Sequence, residues 1–249
     1  MISGKRVIAA MLTALMAVTF TANTAVSVYA TGVTATENAQ TIDAQSTDAQ
    51  ALTPEEQKAQ ELQQVYDMPV ESNGYKDWPQ GPGTYGEAGI VMEVGTGAIL
   101  YAKNIDAHEY PASITKVLTA LVALENGKLT DNVTFSHDSV AFLQRGDSSV
   151  GLKEGNVITL DQAMHAMLLA SANEAAYAIG ESVGVNAGHD YNWFIQQMNE
   201  ECKSLGGENS NFVNANGLHN DNHYTCARDM ALIGREIWRY PEFLKICQE

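Results

Sequence analysis

Basic residues are scarce in this chain, and the scarcity removes whole classes of partner. Fourteen Lys and Arg face 30 Asp and Glu over 249 residues, a formal net charge of −16. A nucleic-acid surface needs a basic face, so no nucleic-acid partner is expected. An anionic substrate gains nothing from long-range steering by such a chain, which leaves recognition to local contacts. Cysteines are few as well: Cys202, Cys226 and Cys247, with no C-x-x-C spacing. Two could pair in an oxidising compartment and leave one over. The preferred reading is three small apolar residues buried on helices. Long apolar runs are missing too. The longest, Val7 to Phe20, is broken by Thr13 and Thr19 and falls short of the roughly 20 residues a membrane span needs.

That run has another use. Lys5 and Arg6 precede it and Val28-Tyr29-Ala30 follows it, so residues 1–30 read as a secretory signal with a small-residue cleavage site. The expected location is secreted or extracytoplasmic, in the cell envelope, with membrane contact only through an uncleaved signal. Residues 31–75 carry eight acids against one lysine and few branched apolar residues. Such a stretch buries too little apolar surface to offset its ordering entropy and is read as a disordered acidic linker, with a transient helix at most over residues 54–68. Residues 76–249 are the expected folded domain.

Within that domain, two apolar segments, Ala88 to Val94 and Ala98 to Lys103, flank Gly95-Thr96-Gly97 and predict a β-hairpin. A second short hairpin is expected near Val133 to Phe135 and Val157 to Thr159. The rest reads as helical. Ser113 to Asn126 carries apolar residues at helical spacing up to Gly127. Thr159-Leu-Asp-Gln162 has the capping-box form. Glu174 to Val183 is a small-residue helix, Asp190 caps another, and Thr225 to Tyr240 is expected to stop at Pro241. The expected class is therefore mixed α/β (α+β): a helical cluster beside an incomplete sheet.

The chemistry concentrates in two polar groups at helix starts. Ser113 and Lys116 are three residues apart, so the amine shares a helical face with the hydroxyl. A serine needs a base to become a nucleophile, and a lysine whose pKa is lowered by burial can serve. The plainer reading makes Ser113 a helix cap and Lys116 a solvated residue. Yet a capping box wants Glu or Gln at Lys116, and cations are disfavoured in a first helical turn. Ser171-Ala-Asn173 follows. Ser171 with Glu174 also fits a capping box; alternatively Ser171 relays a proton while Asn173 binds an amide or orients the lysine. No metal or other cofactor is expected. His219 and His223 have metal-like spacing but no ligand set beyond Asp221, and Gly81-Pro-Gly-Thr-Tyr-Gly86 precedes a strand, unlike a nucleotide loop.

Taken together, Asn104-Ile-Asp106, Tyr110-Pro-Ala-Ser-Ile-Thr-Lys116, Ser171-Ala-Asn173, Phe212-Val-Asn-Ala-Asn-Gly-Leu218, His223-Tyr-Thr and Asp229-Met closely resemble the serine D-alanyl-D-alanine carboxypeptidases, low-molecular-mass penicillin-binding proteins of the β-lactamase/transpeptidase-like fold. The resemblance implies that Ser113 attacks the carbonyl between two terminal D-alanines of a peptidoglycan stem peptide, that Lys116 takes its proton, and that Ser171 and Asn173 assist. It implies β-lactams as inhibitors. A third family motif, Lys-Thr-Gly or a near variant, does not occur in these 249 residues. The expectation is a chain truncated before that strand, with the C-terminal strands missing and an open edge on the first hairpin. Removing one oxyanion donor costs about 10²–10³ in rate, so impaired activity is expected. The alternative is a non-catalytic wall-binding or regulatory remnant.

Overall fold

The computed structural model describes residues 52–249, and the expected signal and the expected linker up to residue 51 lie outside the described residues. Helix α1, Pro54–Tyr66, is polar all round and buries nothing; Glu55 and Glu56 in its first turn complement the helix dipole. No helix among the described residues is long and apolar enough to cross a membrane.

Strands β1 (Gly89–Met92) and β2 (Ile99–Lys103) pair antiparallel as expected, with a register shift between Val91 and Met92. The Glu93 carboxylate closes the turn by accepting from the Gly95 and Thr96 amides. The expected linker boundary and open hairpin edge need correction on the β2 side. Residues from Glu61 onward belong to the folded unit. A short 3-10 turn, Glu71–Gly74, lies along β2 with Ser72 buried. Ala102 N–H donates to Ser72 Oγ (3.2 Å), Asn104 N–H to Glu71 Oε1 (3.1 Å), and Trp78 Nε1 to Leu100 O (2.9 Å). Buried Lys103 ties the same segment down, donating to the carbonyls of Val65 (2.6 Å), Thr84 (2.6 Å) and Gly86 (2.9 Å). Hydropathy patterning misses this packing because polar rungs carry it.

Helix α2, Thr115–Asn126, is the centre of the domain. Leu118, Ala120, Leu121, Val122 and Ala123 are fully buried, and each buried leucine contributes about 1.5–3 kcal/mol. Around α2 pack α4 (Leu160–Leu169), α5 (Asn173–Asn186), α6 (Tyr191–Ser204) and α7 (Ala227–Ile237). The capping box of α4 is present, with the Thr159 side chain accepting from the Gln162 amide and the Gln162 side chain accepting in return. Asp190 caps α6 through the Trp193 amide, as expected. Small residues let α5 and α6 approach closely: a Cβ added at Gly184 would sit 2.3 Å from Asp190 O.

Strands β3 (Asn132–Thr134) and β4 (Val157–Thr159) form the second antiparallel pair, bracketing the short helix α3, His137–Ala141. At the C-terminal side Pro241 does not simply stop a helix. It opens α8, Pro241–Ile246, at the first helical position, where its missing N–H costs nothing. Cys202 and Cys226 are buried, but Cys226 is the N-cap of α7 and Cys247 is exposed, so only part of the cysteine expectation holds.

Candidate active site

Ser113 sits in a 3-10 turn, Ala112–Ile114, that runs directly into α2. The residue before α2 is Ile114 and makes no side-chain cap, so Ser113 is not a capping serine. It is exposed, while Lys116 one turn on is 2 % exposed. Lys116 Nζ donates to Ser113 Oγ (3.1 Å), to Asn173 Oδ1 (2.8 Å) and to Asn216 O (2.7 Å). Three acceptors match the three donors of an ammonium. The neutral amine keeps two of these bonds and turns a lone pair toward the third acceptor. Burial favours that neutral form, lowering the Lys116 pKa to about 8, against the buried Glu174 carboxylate, which raises it.

The second triplet also departs from its plainer reading. Ala172, not Ser171, precedes α5, and it offers no side-chain cap. Glu174 faces away from any capping role: its Oε1 accepts from Ser149 Oγ (2.6 Å) and from the amides of Val150 (2.8 Å) and Gly151 (3.1 Å). Ser171 instead adopts φ 55°, a left-handed conformation uncommon for a residue with a Cβ, and donates to Ser113 Oγ at 3.0 Å. Ala112, beside the other serine, is also left-handed, at φ 47°. Strain of about 1–3 kcal/mol per such residue persists only where the surroundings enforce it. All four predicted residues, Ser113, Lys116, Ser171 and Asn173, are thus linked by hydrogen bonds.

A third segment, for which the sequence suggests no separate role, completes the enclosure. Asn214 to Leu218 folds over the start of α2. Gly217, at φ +82°, approaches so closely that an added Cβ would lie 1.8 Å from Ala112 O. The Asn-Gly dipeptide is a turn signal in the sequence, but its partner across the fold is not readable there. His223 is 1 % exposed and pins this segment. Its Nδ1 accepts from Val213 N–H (3.1 Å), which assigns the proton to Nε2, 2.8 Å from Thr115 Oγ1. Burial holds its pKa down at about 4, so it is neutral. His219 does not join it; it pairs with exposed Asp221 at 3.3 Å. Among the described residues no three His, Cys, Asp or Glu gather as metal ligands.

The remaining motif residues are struts. Arg228 clasps Asp106 with two bonds, 2.6 and 2.8 Å, and buried Asp229 accepts from Asn209 N–H and Ser210 Oγ. They fix the loops that carry the site.

Comparison with known proteins gives a consistent picture. A family model described as D-alanyl-D-alanine carboxypeptidase matches residues 79–249. D-alanyl-D-alanine carboxypeptidase DacF of Bacillus subtilis is 32% identical over 164 residues, covering 64% of this chain and 40% of its own length. DacA of Haemophilus influenzae is 34% identical over 166 residues, 64% of this chain and 41% of its own. The crystal structure of penicillin binding protein 5 from Haemophilus influenzae has a TM-score of 0.60 at 30% identity, over 68% of this chain and 49% of that one. The chain therefore spans about two fifths of the length of these two curated relatives. The structural likeness agrees with the transpeptidase-like fold expected from the sequence.

Proposed function

Since the chain belongs to the D-alanyl-D-alanine carboxypeptidase family, we propose that its site carries out serine acyl transfer on peptides ending in D-Ala-D-Ala, the stem peptides of peptidoglycan, outside the cytoplasm. Ser113 Oγ attacks the carbonyl carbon between the two D-alanines while its proton passes to the neutral Lys116 amine. The tetrahedral intermediate collapses, the C–N bond breaks, and the departing D-alanine amine takes a proton delivered through Ser171. Water then attacks the Ser113 ester; one of its protons returns to Ser113 Oγ, and the shortened peptide leaves. Asn173 holds Lys116 at the right reach and keeps its lone pair free for Ser113.

The observation that carries this reading is the environment of Lys116: a buried amine with a pKa near 8, fixed by Asn173 and Asn216 and in contact with an exposed serine. The buried structural Lys103 donates to three backbone carbonyls, whereas Lys116 has the hydroxyl of an exposed serine among its partners. Incubation with a fluorescent penicillin tests it. A covalent label is expected on the chain and absent in Ser113→Ala, with a large loss in Lys116→Ala. No label on well-folded protein would favour the alternative, a wall-binding or regulatory protein without turnover.

A further inference from the structure

Residues Val213 to Leu218 belong to no helix or strand, so their backbone polar groups need partners elsewhere. Side chains supply them. Val213 N–H donates to His223 Nδ1 (3.1 Å) and Ala215 N–H to Tyr191 Oη (3.0 Å), while Ala215 O accepts from Thr119 Oγ1 (2.7 Å). Asn214 closes the turn on itself, its Oδ1 accepting from Gly217 N–H (2.7 Å) and its Nδ2 donating to Leu218 O (2.9 Å). One further acceptor, Asn216 O, takes a hydrogen bond from Lys116 Nζ at 2.7 Å.

That last bond is the one the chemistry disturbs. In acyl transfer the Lys116 nitrogen alternates between two N–H donors and three. A carbonyl held only by that nitrogen would drift as the charge came and went, and every turnover would include a rearrangement. Acceptors fixed in advance stabilise a developing charge without one. The segment therefore needs a second tie to α2, one that does not change with the state of the lysine. His223 supplies it. The ring is 1 % exposed and bridges Val213 to Thr115, the residue between Ile114 and Lys116, with Nε2–H donating to Thr115 Oγ1 (2.8 Å). Phe212 meets it at 83° with centroids 5.6 Å apart. Both ring nitrogens are used by these two bonds, leaving neither for Ser113 or Lys116, and burial keeps the ring uncharged near neutral pH.

We propose that His223 is a positioning residue for the acylation of Ser113: its hydrogen bonds to Val213 and Thr115 hold the Asn216 carbonyl in place whether Lys116 is an ammonium or an amine. The use of this frame in acylation rests on the acyl-transfer reading; the frame itself does not.

The bond to Thr115 can be removed from either side in the 249-residue chain. His223→Asn places an amide near the Nδ1 position and keeps the Val213 bond, but falls short of Thr115. Thr115→Val deletes the hydroxyl and leaves the ring untouched. Labelling by a fluorescent penicillin at several concentrations separates the limiting acylation rate from the half-saturating concentration. Each variant should lose about tenfold in the limiting rate, with half-saturation unchanged within about twofold. The double variant should be no slower than either, because both substitutions remove one and the same bond. Ile233→Val, a fully buried change on α7 that touches none of these bonds, should lower stability alone and leave the rate as it was. Urea melts check that every variant is folded at the assay temperature. NMR of the 15N-labelled chain gives a readout that needs no turnover. The Val213 amide signal should stay still as Lys116 titrates near pH 8, and should move with that titration in Thr115→Val. Parental limiting rates in both single variants, a loss confined to half-saturation, losses that multiply in the double variant, equal slowing in Ile233→Val, or a Val213 signal that follows Lys116 in the unaltered chain each overturns the proposal. A chain that never labels sinks the acyl-transfer reading, and the Val213 signal then decides the frame by itself.

Discussion

If Lys116 is the base that activates Ser113, as proposed, acylation should climb steeply between pH 6 and 8 and level off above about pH 9. Burial without a paired carboxylate in contact lowers this pKa to about 8 from 10.5. The amine is then neutral in about one molecule in a hundred at pH 6, one in ten at pH 7 and half at pH 8. If only the neutral form takes the serine proton, the acylation rate rises about fiftyfold over those two units and changes little above about pH 9. An unperturbed lysine would leave the rate rising nearly tenfold per unit up to about pH 9 and still climbing beyond it. Initial rates of labelling by a fluorescent penicillin give the profile, with Ser113→Ala as the blank. NMR of the chain carrying 13C-labelled lysine, with the Lys116 signal assigned through Lys116→Arg, gives the titration directly. A flat rate across this range, or an NMR midpoint above about pH 10 alongside a plateau near 8, would refute the assignment of Lys116 as the base.

Four further outcomes follow from particular contacts. Glu174→Gln removes the carboxylate that raises the Lys116 pKa, so both the NMR midpoint and the acid limb of labelling should move to lower pH; an upward move contradicts the electrostatic argument. Gly217→Ala puts a methyl 1.8 Å from Ala112 O at φ +82° and should cost more than about 3 kcal/mol in denaturation, whereas Gly146→Ala, at φ +105° with nothing within 4 Å, should cost about 1–2. His223 has a folded pKa near 4 against 6.5 for the free group, so the unfolded chain takes up its proton first. Stability should therefore fall as pH drops through that window, by about 2 kcal/mol after allowing for solvent screening, and urea melts of His223→Gln at both ends should lack that loss. Lys103→Met strips the carbonyls of Val65, Thr84 and Gly86 of their donor. About 3 kcal/mol of stability should go, and limited proteolysis should begin to cut between residues 65 and 86.

Local features of the chain foretold most of the elements around the site. The first hairpin follows from two apolar runs around Gly95 and Gly97, α2 from its apolar spacing, and α4 and α6 from the chemistry of Thr159 and Asp190. These are readable because cap, turn and periodicity act over a few residues. The expectations that failed had long-range causes. The linker boundary slipped because Lys103 and the β2 backbone find their partners 17 to 38 residues away. Ser113 and Ser171 look like caps in one dimension, and only the fold turns them toward each other across 58 residues.

The amino-acid order alone settled that a hydroxyl and an amine share one helical face, since a spacing of three brings two side chains together on an α-helix and equally on the 3-10 turn that Ser113 occupies. Whether that amine can be neutral near neutral pH was decided by the tertiary structure. Asn173, Asn216 and the buried neighbours of α2 arrive from distant parts of the chain, and they alone remove the water that would keep Lys116 charged. A pKa is a property of surroundings, and surroundings are assembled by folding.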